Sequence, residues 1–470
     1  MKNNKIALYW EGKDGEKKQL TYKELNALAD GFAGFLKGLG VERGDRVFFF
    51  LPRIPELYYG VLGTVRAGAI VGTLFAAFGG QGLYERLKNS EAKVLVTNRE
   101  LKKRVEKVQK DLPDLKYILE VDDEQPLGLT SANGRAENKI QPLGLTKTPS
   151  IMMFTSGTSD TPVRGVVLPY SALEAQKRTA RLVLDLQEND VFWCSADPGW
   201  ITGLAYGIFG GFLNSVSSVV YEGRFDPEKW YEILQNYKVT VWYTAPTALR
   251  MLRGAGEDLA KKFDFSNLRH ICTVGEPLPA ELVSWTKRVF GVPAHDTYWQ
   301  TETGTIMIAN LISEPIKPGS MGKALPGIEA AILDEKGKKV GPGVEGDLVF
   351  KSGWPSQMIA IWGSPDRFQT YFKGQWFVTG DKAYKDEDGY FWFVGRADEM
   401  IKTSGERVGP FEVESALISH PDVIEAAVVG KPDPLRGEII KAFIVPARPG
   451  RQGLADGANM AKVRKVKFFG

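Results

Sequence analysis

Histidine and cysteine are scarce. Three histidines (His270, His295, His420) and two cysteines (Cys194, Cys272) are all that 470 residues contain. Two cysteines so far apart exclude a disulfide framework and fit a reducing cytoplasm. The same scarcity argues against a zinc site, which needs a close-set group of such ligands. A catalytic metal would have to be a hard ion held by carboxylate and phosphate. Excess charge is missing too: 60 Lys and Arg face 57 Asp and Glu, a net +3. No nucleic acid or other polyanionic partner is implied. No long apolar core follows Met1-Lys2-Asn3-Asn4-Lys5, so no secretory leader is read. The uncharged stretch 199–221 is interrupted by glycines, serines and Asn214. It reads as a buried helix followed by the strand Ser217–Tyr221, not as a membrane insertion.

The length and the 43% hydrophobic content imply more than one core. Apolar runs at 47–51, 69–74, 93–97, 116–121, 240–243 and 270–274 alternate with helical periodicity at 20–40, 56–67, 84–89, 100–112, 171–184, 228–237 and 246–253. Fully apolar strands between helices predict an α/β fold with mostly parallel sheets covered on both faces. Residues 122–148 read as a surface connection. From about 316 the texture changes to short strands (330–333, 346–350, 375–378, 390–394) with Gly, Pro and Asp turns, predicting an antiparallel sheet or a small β-barrel subdomain near 316–395. A charged hinge at Gly395-Arg396-Ala397-Asp398 divides a large domain, 1–397, from a smaller α+β domain, 398–470.

The loop Thr155-Ser156-Gly157-Thr158-Ser159-Asp160-Thr161-Pro162-Val163-Arg164-Gly165 directly follows the apolar run Ile151-Met152-Met153-Phe154. Glycine lets backbone approach phosphate oxygens, consecutive N–H groups form an anion nest, and hydroxyls add donors. The Walker spacing is absent. An ordinary polar strand–loop connection is the bland alternative.

Four further stretches stand out: 196–203 (Ala-Asp-Pro-Gly-Trp-Ile-Thr-Gly), Gly275-Glu276-Pro277 at a predicted strand end, 296–304 (Asp-Thr-Tyr-Trp-Gln-Thr-Glu-Thr-Gly), and the run Thr379-Gly380-Asp381, Arg396-Ala397-Asp398, Lys402–Val408. Together, and in this order, they resemble the adenylate-forming acyl-CoA synthetase superfamily, in particular its AMP-forming acetate–CoA ligases, over residues 5–446.

The resemblance implies the substrates ATP, coenzyme A and a short carboxylate (acetate or propionate), with Mg²⁺. Thr155, Ser156, Gly157 and Thr158 would grip the β- and γ-phosphates. Ile201, Thr202 and Trp299 would line the acyl pocket, the indole leaving room only for a short chain. Gly275, Glu276 and Pro277, with Asp296, Thr297, Tyr298, Trp299 and Gln300, would surround the nucleotide. Thr301 would meet the α-phosphate and Glu302 the Mg²⁺ ion. Asp381 would accept both ribose hydroxyls, and Arg396 would contact the nucleotide. Asp398 would be the hinge on which the small domain turns. Gly405 would admit pantetheine and Arg407 would meet phosphate. Thr158, Glu302, Arg396 and Arg407 are the implied catalytic set.

The sequence also departs from the family pattern. Asp160 stands at a usual glycine, Val163 looks inserted, and no lysine in a Gly-Lys context follows residue 446. The expectation is a small domain incomplete after about 446 and an impaired adenylation step, with a relic that only binds nucleotide or acyl-adenylate as the alternative. Transfer to an acceptor other than CoA is disfavoured by Trp299 and by the lack of a carrier domain.

Overall fold

The computed structural model describes residues 4–121, 147–155, 164–403, 406–420, 423–433 and 437–446. Two large sheets carry most of the chain. In spatial order, the first joins Lys323–Ala324, Ile308–Ala309, Ala294–Tyr298, His270–Thr273, Val241–Thr244, Val191–Cys194, Ser217–Tyr221, Ile6–Glu11 and Lys17–Thr21. The second joins Ala360–Ile361, Gly165–Pro169, Pro149–Phe154, Ile70–Thr73, Arg46–Phe50, Val94–Asn98 and Tyr117–Val121. Their central ladders are parallel, and antiparallel pairing is confined to the ends of each sheet. The expected mostly parallel α/β architecture is what forms.

The helices pack as their periodicity requires. Thr21 caps Tyr22–Gly38 through a capping box with Glu24, and Leu25, Ala29, Phe32 and Leu36 point into the core. That helix therefore starts two residues later than the spacing predicted, because Lys17–Thr21 is a strand. The hairpin of Ile6–Glu11 and Lys17–Thr21 was not legible. Its first strand pairs in parallel with Ser217–Tyr221, a partner far along the chain. The stretch 199–221 is buried as expected, but its centre, Gly203–Gly210, is a π-helix rather than an α-helix. No helix among the described residues is long and apolar enough to cross a membrane.

Beyond residue 330, Ala330–Leu333, Gly346–Lys351, Trp376–Lys385, Phe372–Lys373 and Phe391–Arg396 make a five-stranded antiparallel sheet. The described ladders leave it open, so of the two expectations the sheet forms and the closed barrel does not. After it, Ile401–Thr403, Glu406–Val408, Val423–Asp433 and Gly437–Pro446 build a four-stranded sheet with the helix Pro410–Ile418. Its small apolar clusters centre on Ile401, Val428 and Ala442 and on Ile418, Val423 and Ala426. Ile424 also lies beside Gly254, at the end of the helix Pro246–Gly254 of the first sheet's cover.

Candidate active site

The strands Val241–Thr244, His270–Thr273 and Ala294–Tyr298 are parallel neighbours, so their carboxyl ends open on one side. In an open α/β sheet that edge is where ligands bind. A cavity of about 410 Å³ lies there. Its wall combines Gly275–Pro277, Asp296–Gln300, Asp381 and Arg396. Ten residues that the sequence placed around a nucleotide thus share one cavity, although they come from separate segments.

Asp381 is its electrostatic centre. Its side chain is almost wholly buried, and it sits on Trp376–Lys385 opposite Arg396. The Tyr298 hydroxyl and Gln300 Nε2 donate to Oδ2 at 2.5 and 2.8 Å, and Arg396 Nη1 approaches Oδ1 at 3.3 Å. Burial raises the Asp381 pKa, while Tyr298, Arg396 and Gln300 pull it back part of the way. Burial lowers the Arg396 pKa, but Asp381 and Asp398 outweigh it, so the net shift is upward and the guanidinium stays charged. Arg396 Nε bonds Asp398 at 3.3 Å, so one guanidinium links Asp381 to the expected hinge residue.

Glu276 is anchored rather than free. Its carboxylate accepts from the Thr247 backbone N–H at 2.9 Å and from Arg250 Nη2 at 2.5 Å. The helix Pro246–Gly254 therefore fixes the turn Gly275–Pro277 at its own N-terminus. Gly275 has φ +94°, a conformation that favours glycine. Asp296 is buried, and burial pushes its carboxyl up to about 8; the Thr273 hydroxyl and Thr297 N–H meet it at 3.1 and 3.0 Å.

At the inner end the Trp299 indole is 8% exposed. Its Nε1 donates to the Tyr243 hydroxyl at 3.2 Å, which in turn bonds Thr297 Oγ1 at 2.8 Å. The Tyr206 ring stands edge-on to it at 5.1 Å. Ile201 packs against the core cluster that contains Trp299, and Thr202 precedes the π-helix, half-buried. Trp200, in contrast, is 40% exposed beside Phe75 and Phe78.

Thr301 and Glu302 lie on the turn that follows Gln300. Glu302 is 9% exposed and accepts from the Tyr371 hydroxyl at 3.2 Å. Burial raises its pKa, against Tyr371 and Arg396. No group of three or more metal-type ligands occurs among the described residues. A single buried carboxylate fits an ion whose other ligands are phosphate oxygens and water, as Mg²⁺ prefers.

Thr155 directly follows the strand Pro149–Phe154 and is half-buried. Ser156, Gly157, Thr158 and Gly405 lie outside the described residues, as does the stretch beyond 446. The Arg407 backbone lies in the strand Glu406–Val408. Sequence reasoning missed Met321, Phe393, Glu399, Pro410, Phe411, Glu414 and Val428, which with Gly395 complete the cavity wall. It also missed Tyr206, Tyr243 and Arg250. In the sequence they look like core or surface.

Comparison with known proteins agrees with this geometry. The family of AMP-binding enzymes matches residues 1–358, and the AMP-binding enzyme C-terminal domain matches residues 412–466. An acetyl-coenzyme A synthetase of Bacillus subtilis is 49% identical over 451 residues, 94% of this chain and 78% of that protein. One from Pyrobaculum aerophilum is 38% identical over 98% of this chain and 74% of its own length. Among solved structures, a Brucella canis acyl-CoA synthetase superposes with TM-score 0.76 at 35% identity, covering 96% of this chain and 83% of that one. An anthranilate CoA ligase bound to anthranoyl-AMP gives TM-score 0.84 at 28% identity, covering 97% and 86%.

Proposed function

The chain belongs to the family of AMP-binding enzymes, and on that premise we propose that it converts acetate, ATP and coenzyme A into acetyl-CoA, AMP and pyrophosphate. In the first step an acetate oxygen attacks the α-phosphorus of ATP, and the bond to the β-phosphate oxygen breaks. Acetyl-AMP forms and pyrophosphate leaves. In the second step the CoA thiolate attacks the acetyl carbon, a thioester forms, and AMP leaves. No protein nucleophile is needed; the chain's work is binding, orientation and charge placement.

Asp381 supports this reading as a bidentate acceptor for a vicinal diol, held ready by Tyr298 and Gln300. Arg396 supplies positive charge on the same side. Mg²⁺, when bound, offsets charge on the triphosphate and the departing pyrophosphate, and Glu302 is the residue that would hold it. Thr301 is assigned to the α-phosphate, and Thr155 through Thr158 and Arg407 to phosphate contacts. Asp398 is assigned as the hinge between the domains 1–397 and 398–470. Propionate is the next acid in size. ATP and CoA supply place such an enzyme in the cytoplasm, which the two unpaired cysteines fit.

One observation carries the choice of substrate: the inner end of the cavity is lined by a buried indole held by the Tyr206 ring and, through its N–H, by the Tyr243 hydroxyl. An indole held there supports a short acyl group, because its bulk stands where a longer chain would have to extend. The test is acetate-dependent exchange of pyrophosphate into ATP, run beside thioester formation from supplied acetyl-AMP and CoA. Acetate-dependent exchange supports the full reaction. Thiolysis without exchange would overturn the adenylation half of the proposal. ATP binding with neither reaction would overturn the proposal in favour of a binding relic.

A further inference from the structure

A second cavity, of about 740 Å³, lies outside the nucleotide site. It opens between the helix Ser171–Leu182 and the loops 325–329 and 351–356, and its apolar wall includes Leu182, Ile306, Leu325, Ile328 and Trp354. Nothing in the reaction just described uses it.

One side chain touches both its wall and the acyl end of the active site. Tyr206 is fully buried at the centre of the π-helix Gly203–Gly210. Its ring stands edge-on to Trp299 at 5.1 Å and to Tyr243 at 5.6 Å. Its hydroxyl points the other way. There it accepts from the Ile306 backbone N–H at 2.8 Å and lies 2.8 Å from Thr179 Oγ1. Thr179 donates to the Ala175 carbonyl at 2.9 Å, so the phenol proton goes to Thr179. Thr179 and Ile306 both line the second cavity. The phenol is therefore bolted to that cavity's wall while its ring backs the indole.

We propose that Tyr206 is a positioning residue that sets the chain-length limit of the acyl pocket: it holds Trp299 across the end of the pocket and partitions that pocket from the larger cavity behind it. The inference rests on the acyl-activating reading above. The π-turn is consistent with this role, because such turns are frequent at functional sites.

The test uses non-hydrolysable acyl-sulfamoyl-adenosines with two-, four- and six-carbon acyl groups, bound to the purified chain and followed by calorimetry, so that turnover is not required. Wild type and Tyr206→Phe, which keeps the ring, should bind the acetyl form and reject the hexanoyl form. Tyr206→Ala should bind the hexanoyl form at least about tenfold more tightly than wild type, the scale of one methylene admitted to an apolar pocket. Tyr206→Leu gives the same comparison if the alanine variant does not fold. A folded variant without the ring that still binds the acetyl form and rejects the hexanoyl form as wild type does would overturn the proposal. Wild type that binds none of the three analogues would overturn the acyl-activating reading itself.

Discussion

Tyr298→Phe tests the reach of Asp381. The substitution removes one hydroxyl and leaves the ring. In the folded protein that hydroxyl is one of three donors to a carboxylate only 3% exposed, at 2.5 Å; Gln300 at 2.8 Å and Arg396 at 3.3 Å remain. A hydrogen bond to a charged group is worth about 1.5–3 kcal/mol. ATP affinity should therefore fall by roughly one to two orders of magnitude, since each ~1.4 kcal/mol is tenfold. The mechanism is checked by a cycle. ATP and 3′-deoxy-ATP are titrated into both proteins. Wild type should lose affinity when the 3′-hydroxyl is absent, and Tyr298→Phe should lose much less, because its carboxylate is no longer aimed. A coupling of at least about 1 kcal/mol is expected for groups that share one acceptor. The acid limb should move too. Asp381 must be ionised to accept two hydroxyl protons; burial already raises its pKa, and Tyr298 lowers it. Losing Tyr298 should therefore raise that pKa further, so that ATP binding in the variant fails at a higher pH than in wild type. Additive losses, with no coupling and an unmoved acid limb, would refute the idea that Tyr298 works through Asp381.

Two further outcomes are expected. Glu302→Gln keeps the shape and the Tyr371 contact but removes the charge; exchange activity should fall by about 10²–10³ and need more Mg²⁺, while ATP binding without metal is unchanged, which a metal titration checks. His270 is held neutral, its pKa pushed from 6.5 down to about 4 by burial and then by His295; the unfolded chain takes up the proton first, so stability is full above about pH 6.5 and about 3 kcal/mol is lost as pH falls toward 4, and urea midpoints for wild type and His270→Gln across that window should differ in slope.

Much of this site could be read before folding because its chemistry is concentrated in short contiguous runs. The stretch 296–304 puts Tyr298, Trp299, Gln300 and Glu302 within a few residues, and strand-end logic places Gly275–Pro277 beside it. The alternation of apolar strands and amphipathic helices likewise fixes the α/β class locally. What could not be read depends on distance along the chain. Tyr206 is 93 positions from Trp299, in a stretch that looks like plain buried helix, and only the folded sheet brings the two rings together. Arg250 reads as a surface arginine until Glu276 meets it. Phe411, Glu414 and Val428 complete the cavity wall from beyond Asp398, and no local pattern marks them. The π-helix was hidden because residues of this kind fit either helical spacing equally well.

The pairing of Leu8 with Ser218 and of Trp10 with Val220 has a kinetic consequence. About 200 residues separate these partners, and ribosomes add roughly 5–20 residues per second. The apolar strand Ile6–Glu11 is thus made about 10–40 s before its parallel neighbour exists. During that time it has only Lys17–Thr21 to pair with, and a lone hairpin is marginally stable in water. Of the strands in this sheet, Ile6–Glu11 therefore waits longest for its parallel neighbour, and it is the one a chaperone would have to shield.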